Sequence, residues 1–268
     1  MASIERTAYP RFPRVLTLKA VQTSFTPRQD EIEWATKFAR GTDSRLALLV
    51  LLKCFLFLRH FPPVESIPED IVEHVSASLG MAPIRTISYA NPTALYRHHK
   101  VIRDLLGVEP YTDAQTRPLA VTLALKAAAV VETRVDIINC VIEDLIRQGH
   151  ELPVFRTLDD IAEQVHADAQ TALHVQIEDQ LSDAQRRWLD KLLVTDLPLR
   201  RTLYNQLKQS AKKTSRQHLD MLLDQVRWLD GLPACDDLLS TVPAIKLKHM
   251  AERAAVLDAG DLKDFTAP

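Results

Sequence analysis

The feature that most constrains the fold is an apolar run from Leu46 to Leu58, interrupted only by Lys53. This run is too short to cross a bilayer, which takes about 20 consecutive apolar residues. A helix that is apolar on every side must be surrounded by other helices. The run therefore predicts a buried helix over residues 44–59 at the centre of a small bundle.

The rest of the chain predicts further helices and little or no sheet. Its 268 residues are 46% hydrophobic and 25% charged, as in globular proteins, with only 6 glycines. No strand-like alternation is sustained. Capping patterns mark helix starts at Thr26, Ser66, Thr112, Thr157 and Ser182. With the apolar runs that follow, they predict helices near 27–40, 44–59, 67–79, 92–106, 113–131, 134–148, 157–180, 183–194, 199–209, 216–230 and 241–258.

We expect an all-α fold, a multi-helix bundle of two to three small helical subdomains with helix-turn-helix-like units. The predicted boundaries separate a basic N-terminal arm (1–16) from three subdomains, at 17–110, 111–181 and 182–268. The last of these would carry a basic loop and the start of a linker. The regions of Pro153 and Pro198 are candidate hinges.

The lack of a recognisable signal peptide and the pattern of cysteines favour a cytoplasmic protein that does not bind a membrane. The first residues have several arginines and no apolar core, so we expect no signal peptide. The cysteines, Cys54, Cys140 and Cys235, lie far apart and form no CxxC motif. That pattern is typical of reduced thiols in the cytoplasm.

Charge is segregated along the chain although the formal net charge is only −2. Residues 81–103 and 197–219 contain lysines and arginines but no acid, whereas 157–185 contains seven acids and no lysine or arginine. Segregation of this kind is what a phosphate-binding surface in a near-neutral protein requires. The alternative is that these segments are ordinary solvated helix faces.

The helix predicted at 92–106 has two chemically different sides. At about 100° per residue, Leu95, Val101, Ile102, Leu105 and Leu106 share one side. Tyr96, Arg97, Lys100, Arg103 and Asp104 share the other. Together with the helix at 67–79 this pattern resembles a helix-turn-helix unit that presents a basic face to a major groove, although the intervening turn is long. We expect His98 to be a core residue, and His99 lies at the border of the two sides.

Two other basic segments are candidates for phosphate contact. The stretch Lys208–Arg216 is a basic loop that leads into a helix N-terminus, where side chains, free amides and the helix dipole favour anions. Its alternative is a solvated linker. The N-terminal arm could enter a minor groove, or it could be a strap that packs Tyr9 and Phe12 onto the bundle.

No motif for catalysis or metal binding is recognisable. The sequence lacks HExxH, a Walker loop, GxGxxG and GxSxG. Glu163-x-x-His166 has the spacing of a di-iron site, but no second pair accompanies it, so a polar helix face is the preferred interpretation. We expect a binding module without catalytic residues, metal or cofactor.

The order of several motifs resembles the N-terminal region of Tn-three family transposases (TnpA type). These motifs are RTAYPRFP near the start, RLALLVLLKCFLFLRHFPP from Arg45, Ile67-Pro68 with Leu79-Gly80, Tyr96-Arg97-His98-His99, Leu203-Tyr204-Asn205 and the basic loop before Ser215. The resemblance extends from about Thr7 to about Leu257. Within it, this chain has Lys-Lys-Thr-Ser-Arg where relatives often carry loops rich in Arg and Pro.

The resemblance implies sequence-specific binding of double-stranded DNA at transposon terminal inverted repeats. In such transposases a later RNase H-like domain holds the acidic triad and its Mg²⁺, so this chain is expected to be a non-catalytic fragment that dimerises, if at all, through the full-length protein. The candidate DNA-binding residues are Arg85, Tyr96, Arg97, His99, Lys100, Arg103, Arg200, Arg201, Lys208, Lys212, Lys213 and Arg216. The candidate minor-groove residues of the arm are Arg6, Arg11 and Arg14.

A second hypothesis treats the chain as a helical protein–protein interaction or regulatory fragment. In that case the acidic segment 157–185 would dock another protein. Such a module would show no salt-dependent affinity for DNA, whereas a phosphate-binding surface would.

Overall fold

A computed structural model describes residues 3–196, 201–208, 215–231, 239–240 and 242–257. Within these ranges the protein is a multi-helix bundle, which confirms the predicted all-α class, and a two-residue strand pair is its only regular β-structure. None of the described helices is long and apolar enough to span a membrane. The helices are α1 (Leu18–Phe25), α2 (Gln29–Phe38), α3 (Thr42–Leu58), α4 (Glu69–Ser78), α5 (Pro92–Leu106), α6 (Thr116–Val130), α7 (Arg134–Arg147), α8 (Phe155–Gln180), α9 (Asp183–Leu193), α10 (Leu203–Leu207), α11 (Arg216–Asp230) and α12 (Ala244–Val256).

The chain divides into two compact units. Unit 1 comprises residues 1–127 and 133–165, and unit 2 comprises residues 128–132 and 166–268. The finer division into an arm and three subdomains stays a prediction. Single-turn 3-10 helices lie at Ile4–Arg6 and Val64–Ser66 in unit 1.

The core of unit 1 is built around α3. Every residue of α3 from Leu46 to Phe55 is buried, and the helix packs against α1, α2, α4 and α5. The prediction of a buried helix at the centre of a bundle is therefore confirmed.

One charged pair lies inside this core. Lys53 of α3 and Glu31 of α2 are only 6% and 5% exposed, and Lys53 Nζ lies 3.0 Å from Glu31 Oε2. The same carboxylate oxygen accepts a hydrogen bond from the Arg28 backbone N–H at 2.7 Å. Glu31 therefore caps the start of α2 and neutralises the lysine of the apolar helix.

This arrangement explains why α2 does not start at Thr26 as predicted. The N-terminus of α2 is capped by Glu31 within its own first turn, so the helix begins at Gln29. Thr26 instead donates its hydroxyl to Gln22 O at 2.6 Å and ends α1, a helix that the sequence patterns did not predict.

Three other predicted helix starts, at Ser66, Thr112 and Thr157, are wrong and one is confirmed. Thr112 precedes a turn, and α6 begins only at Thr116. Ser66 belongs to the 3-10 turn before α4 and donates its hydroxyl to Pro63 O instead of capping α4. Thr157 lies inside α8, which starts at Phe155. By contrast, Ser182 begins α9 with the predicted capping box, in which the Gln185 side chain accepts from the Ser182 backbone N–H at 2.8 Å.

Unit 2 is held together by aromatic stacking and by lysines at helix C-termini. Trp188 of α9 stacks on Trp228 of α11 with a centroid distance of 4.7 Å. The buried Lys246 of α12 donates from Nζ to Ala128 O near the end of α6 at 2.5 Å. The antiparallel strands β1 (Thr195–Asp196) and β2 (Arg201–Thr202) pair in this unit.

Candidate nucleic-acid interface

The helix α5 has a local sequence that fixes both of its ends. The side chain of Asn91 accepts the Thr93 N–H at 2.8 Å, and Pro92 occupies the first helical position, where a missing N–H costs nothing. Gly107 ends the helix at φ +63°, a left-handed conformation that glycine adopts without strain. The observed bounds are the predicted 92–106.

One side of α5 is anchored in the core of unit 1. Ile102 and His98 are buried, and His98 Nδ1 lies 2.6 Å from the Tyr89 hydroxyl. Burial, with a smaller contribution from Arg97, lowers the pKa of His98 to about 4. His98 is therefore a neutral core residue, as predicted.

The opposite side of α5 is exposed and basic. Tyr96 is 69% exposed, and Arg97 and Lys100 are exposed beside it. Among the described residues, no carboxylate lies within 4.0 Å of Arg97 or of Lys100. The ion pairs found in that part of the chain all involve other residues. These two charges remain free to neutralise phosphates.

Arg103 and His99 differ from this exposed group because both pack on Phe61. His99 stacks on the Phe61 ring at a centroid distance of 3.8 Å, and the Arg103 guanidinium lies 5.1 Å from the same ring. Arg103 Nε also donates to Glu151 Oε2 at 2.8 Å, which leaves its side chain only 24% exposed. The predicted placement of Arg103 on the open face is therefore wrong, because an acid 48 residues away holds it.

The charge state of His99 also limits its role. Burial is the largest cause that lowers its pKa to about 4, followed by the positive charge of Arg103 and by His98. At neutral pH the ring carries no charge to offer a phosphate. His99 supports the helix through stacking, and it also meets Tyr96 edge-on at 6.3 Å.

Arg85 lies before α5 and is paired with α4. Its guanidinium is within 3.3 Å of Glu73 and 3.9 Å of Glu69, and all three side chains are exposed. Exposed pairs of this kind are weak, about 0–1 kcal/mol, so a phosphate could replace either acid.

The N-terminal arm packs on the core of unit 1, to which it belongs, in agreement with the strap interpretation. Tyr9 is buried, packs against His60 and Phe155, and donates its hydroxyl to Pro153 O at 2.8 Å. Phe12 packs against the same core.

The arginines of this arm differ in their partners. Arg11 and Arg14 both pair with Glu5, at 3.6 and 2.8 Å, and Arg6 is exposed. The arm is therefore fixed through its aromatic residues, while two of its three arginines share one acid.

Little of the predicted basic loop can be placed. Arg200, Lys212 and Lys213 lie outside the described residues, and for Arg201 only the backbone in β2 is described. Lys208 donates from Nζ to Ala254 O at 3.2 Å and to Leu257 O, so it caps the end of α12. Arg216 is exposed in the first turn of α11. Ser215 caps the N-terminus of this helix, because its hydroxyl oxygen accepts the His218 N–H at 3.2 Å.

The acidic segment is partly neutralised within the fold. Arg134 pairs with Asp159 at 3.0 Å and with Glu163 at 2.8 Å. His166 Nε2 lies 2.9 Å from Glu132 O. Both members of the Glu163-x-x-His166 pair thus have partners, and no group of potential metal ligands occurs in the described part of the chain.

A family comparison covers more than half of the chain. The model of a family described as a domain of unknown function, DUF4158, matches residues 1–165 of the 268. The chain belongs to the DUF4158 family. The matched range ends at the residue where unit 1 ends, Val165, so the DUF4158 match and the first compact unit share a boundary. No curated protein matches the chain.

Within the DUF4158 region, the sequence patterns missed two residues in contact with α5 and one nearby in the chain that has an unusual backbone conformation. Phe61 and Glu151 hold Arg103, and Arg59 ends α3 in a left-handed conformation at φ +60°. The run Arg59-His60-Phe61 closing the apolar helix was visible in the sequence, but only the fold places it beside α5.

Proposed function

We propose that this DUF4158 protein binds double-stranded DNA through the exposed side of α5 and belongs to the end-recognition part of a Tn-three family transposase. The sequence resemblance and the family support this proposal together, because DUF4158 domains occur in Tn-three family transposases. The proposed role is recognition of terminal inverted repeats, with no catalytic residue and no Mg²⁺ held by this chain.

The observation that carries the proposal is the geometry of α5. A helix fits the major groove when one side is anchored in a rigid core and the other presents cations without protein partners. Ile102 and His98 anchor α5, while Tyr96, Arg97 and Lys100 point away from the core. Tyr96 can donate its hydroxyl to a phosphate or sugar, and Arg97 can donate two hydrogen bonds to a guanine edge.

The test starts with selection of bound duplexes from a random-sequence library by the full chain. Fluorescence anisotropy then compares a selected duplex with its scrambled counterpart at two salt concentrations. Tighter binding of the selected duplex at both concentrations supports sequence-specific recognition. Equal binding of the two duplexes would reduce the proposal to a phosphate-binding surface, and no binding would overturn it.

Substitutions in α5 then separate base contact from phosphate contact. We expect Arg97→Ala to cost about 1–3 kcal/mol at one base pair and to relax the preference there. Lys100→Ala should weaken all duplexes alike and reduce the salt slope by about one phosphate contact. Arg103→Ala should also weaken all duplexes, because Arg103 holds α5 against Phe61 and Glu151.

A matched control is Lys19→Ala on α1, an exposed lysine on another helix of unit 1. This variant should bind as tightly as the wild type. If Lys19→Ala and Lys100→Ala weaken binding equally, the attraction is a property of the whole molecule, and the assignment to α5 fails.

A second candidate function is protein docking through unit 2. Its support is the apolar side of α11, where Leu219, Leu223 and Val226 are exposed. The internal pairing of Asp159 and Glu163 counts against docking through the acidic segment itself. Absence of DNA binding, together with self-association that Leu223→Glu abolishes in analytical ultracentrifugation, would favour this candidate.

A further inference from the structure

Arg59 has an unusual backbone conformation at the end of α3. It adopts φ +60° and ψ +14°, the left-handed region, and is the only residue other than glycine with a positive φ among those described. Its N–H donates to Phe55 O at 2.7 Å, and its carbonyl accepts from Leu152 N–H at 2.9 Å. The backbone is thus fixed on both sides in a conformation that favours glycine.

This conformation gives the side chain of Arg59 no ion-pair partner among the described residues. The side chain is exposed, and in the part of the chain that the structure describes no carboxylate lies within 4.0 Å of it. Glycine would relieve the strain at this helix end. An arginine held there by the fold points to a use for its charge, because strained residues that persist cluster at functional sites.

Arg59 is also joined to α5 through residues next to it in the chain and in space. Phe61, two residues further along the chain, stacks on His99 and carries the guanidinium of Arg103. Leu152, which holds the Arg59 carbonyl, directly follows Glu151, the partner of Arg103. The end of α3 and the middle of α5 are therefore joined through one small cluster.

We propose that Arg59 is a DNA phosphate contact that extends the basic surface of α5 onto the end of α3. This inference rests on the proposed DNA binding. Groove-binding helices are positioned by contacts from neighbouring elements to the phosphate backbone, which fix register and carry no sequence information. Arg59 supplies such a contact, while Arg97 faces the bases.

The test uses Arg59→Gly, Arg59→Ala and Arg59→Lys in the full chain, with a fluorescein-labelled duplex of mixed sequence at about 0.05 M and 0.2 M salt. Loss of one phosphate contact should lower the affinity about eightfold at 0.1 M salt and reduce the salt slope by about 0.9. We expect this loss in Arg59→Gly and in Arg59→Ala. Arg59→Lys should keep most of the affinity.

Thermal unfolding separates the charge from the strain. Arg59→Gly should unfold at a higher temperature than the wild type, because glycine relieves the strain, whereas Arg59→Ala should not. A variant that is more stable but binds DNA more weakly has lost a contact and not its fold.

Two outcomes would overturn the inference, and they are distinguishable. If the wild type binds the duplex and both Arg59→Gly and Arg59→Ala keep its affinity and salt slope, Arg59 is not a contact and the proposed function stands. If the wild type binds no duplex at either salt concentration, the proposed function fails and the inference fails with it.

Discussion

At the scale of single residues, Lys53 shows how this core accommodates a charge. The lysine sits in the middle of the apolar helix α3, and Glu31 is its buried partner from α2. Glu31 also caps α2 through the Arg28 N–H, so one carboxylate serves two purposes. Removing only one member leaves the other charge buried and unpaired.

We therefore expect Lys53→Met to destabilise the protein by about 3–5 kcal/mol. The double variant Glu31→Gln with Lys53→Met should recover much of that loss, because glutamine can still accept the Arg28 N–H and no charge remains buried. Urea unfolding of the wild type, both single variants and the double variant measures this coupling. Additive effects of the two substitutions would contradict the interpretation of a coupled buried pair.

At the scale of elements, α5 is a helix with a neutral anchored side and a charged open side. Its two histidines belong to the anchored side, and burial lowers the pKa of each to about 4, below the ordinary 6.5. Between those values the unfolded chain binds protons that the folded chain excludes. The stability that these two neutral histidines contribute is therefore fully present above about pH 6.5 and is lost as the pH falls toward 4.

Each of these histidines contributes up to about 1.4 kcal/mol per pH unit to this loss. His99→Phe keeps an aromatic ring against Phe61 but removes one titrating group. The variant should lose less stability than the wild type between pH 6.5 and pH 4, while the contribution of His98 remains. Urea unfolding at several pH values measures how steeply the free energy of unfolding changes with pH in the wild type and in the variant. Equal slopes would show that the folded protein does not keep His99 from binding a proton.

At the scale of the whole molecule, the two units differ in how much apolar surface they bury. Most of α3 in unit 1 is buried, whereas α9 and α11 in unit 2 contain no fully buried residue. Regions with few buried apolar contacts open at lower free energy than the core of a protein. We infer that unit 2 unfolds before unit 1.

The tryptophans allow a direct measurement of this order. Of the three in the chain, Trp34 lies in unit 1, and Trp188 and Trp228 stack in unit 2. In the variant Trp34→Phe, tryptophan fluorescence reports unit 2 alone, and far-UV circular dichroism reports all helices. We expect the fluorescence midpoint in urea to precede the final loss of helix, whereas coincident single transitions would show one cooperative molecule.

Local sequence determined the helical class, the buried helix α3 and the bounds of α5. Each of these depends on residues that are close in the chain: an apolar run interrupted only by Lys53, the Asn91-Pro92 start, and the left-handed end at Gly107. The short helix α1 was missed because its cap at Thr17 has no glutamate or glutamine three residues later to mark it.

Only the tertiary structure decided which cations of the candidate interface stay open. Arg103 shares the polar side of α5 with Arg97 and Lys100, and Lys208 belongs to a basic stretch, but partners far along the chain hold both. Pairing with Glu151, stacking on Phe61 and capping of α12 bring together residues separated by tens of positions. A helical wheel contains no information about such partners, since they come from other elements, and the same is true of the strain that distinguishes Arg59.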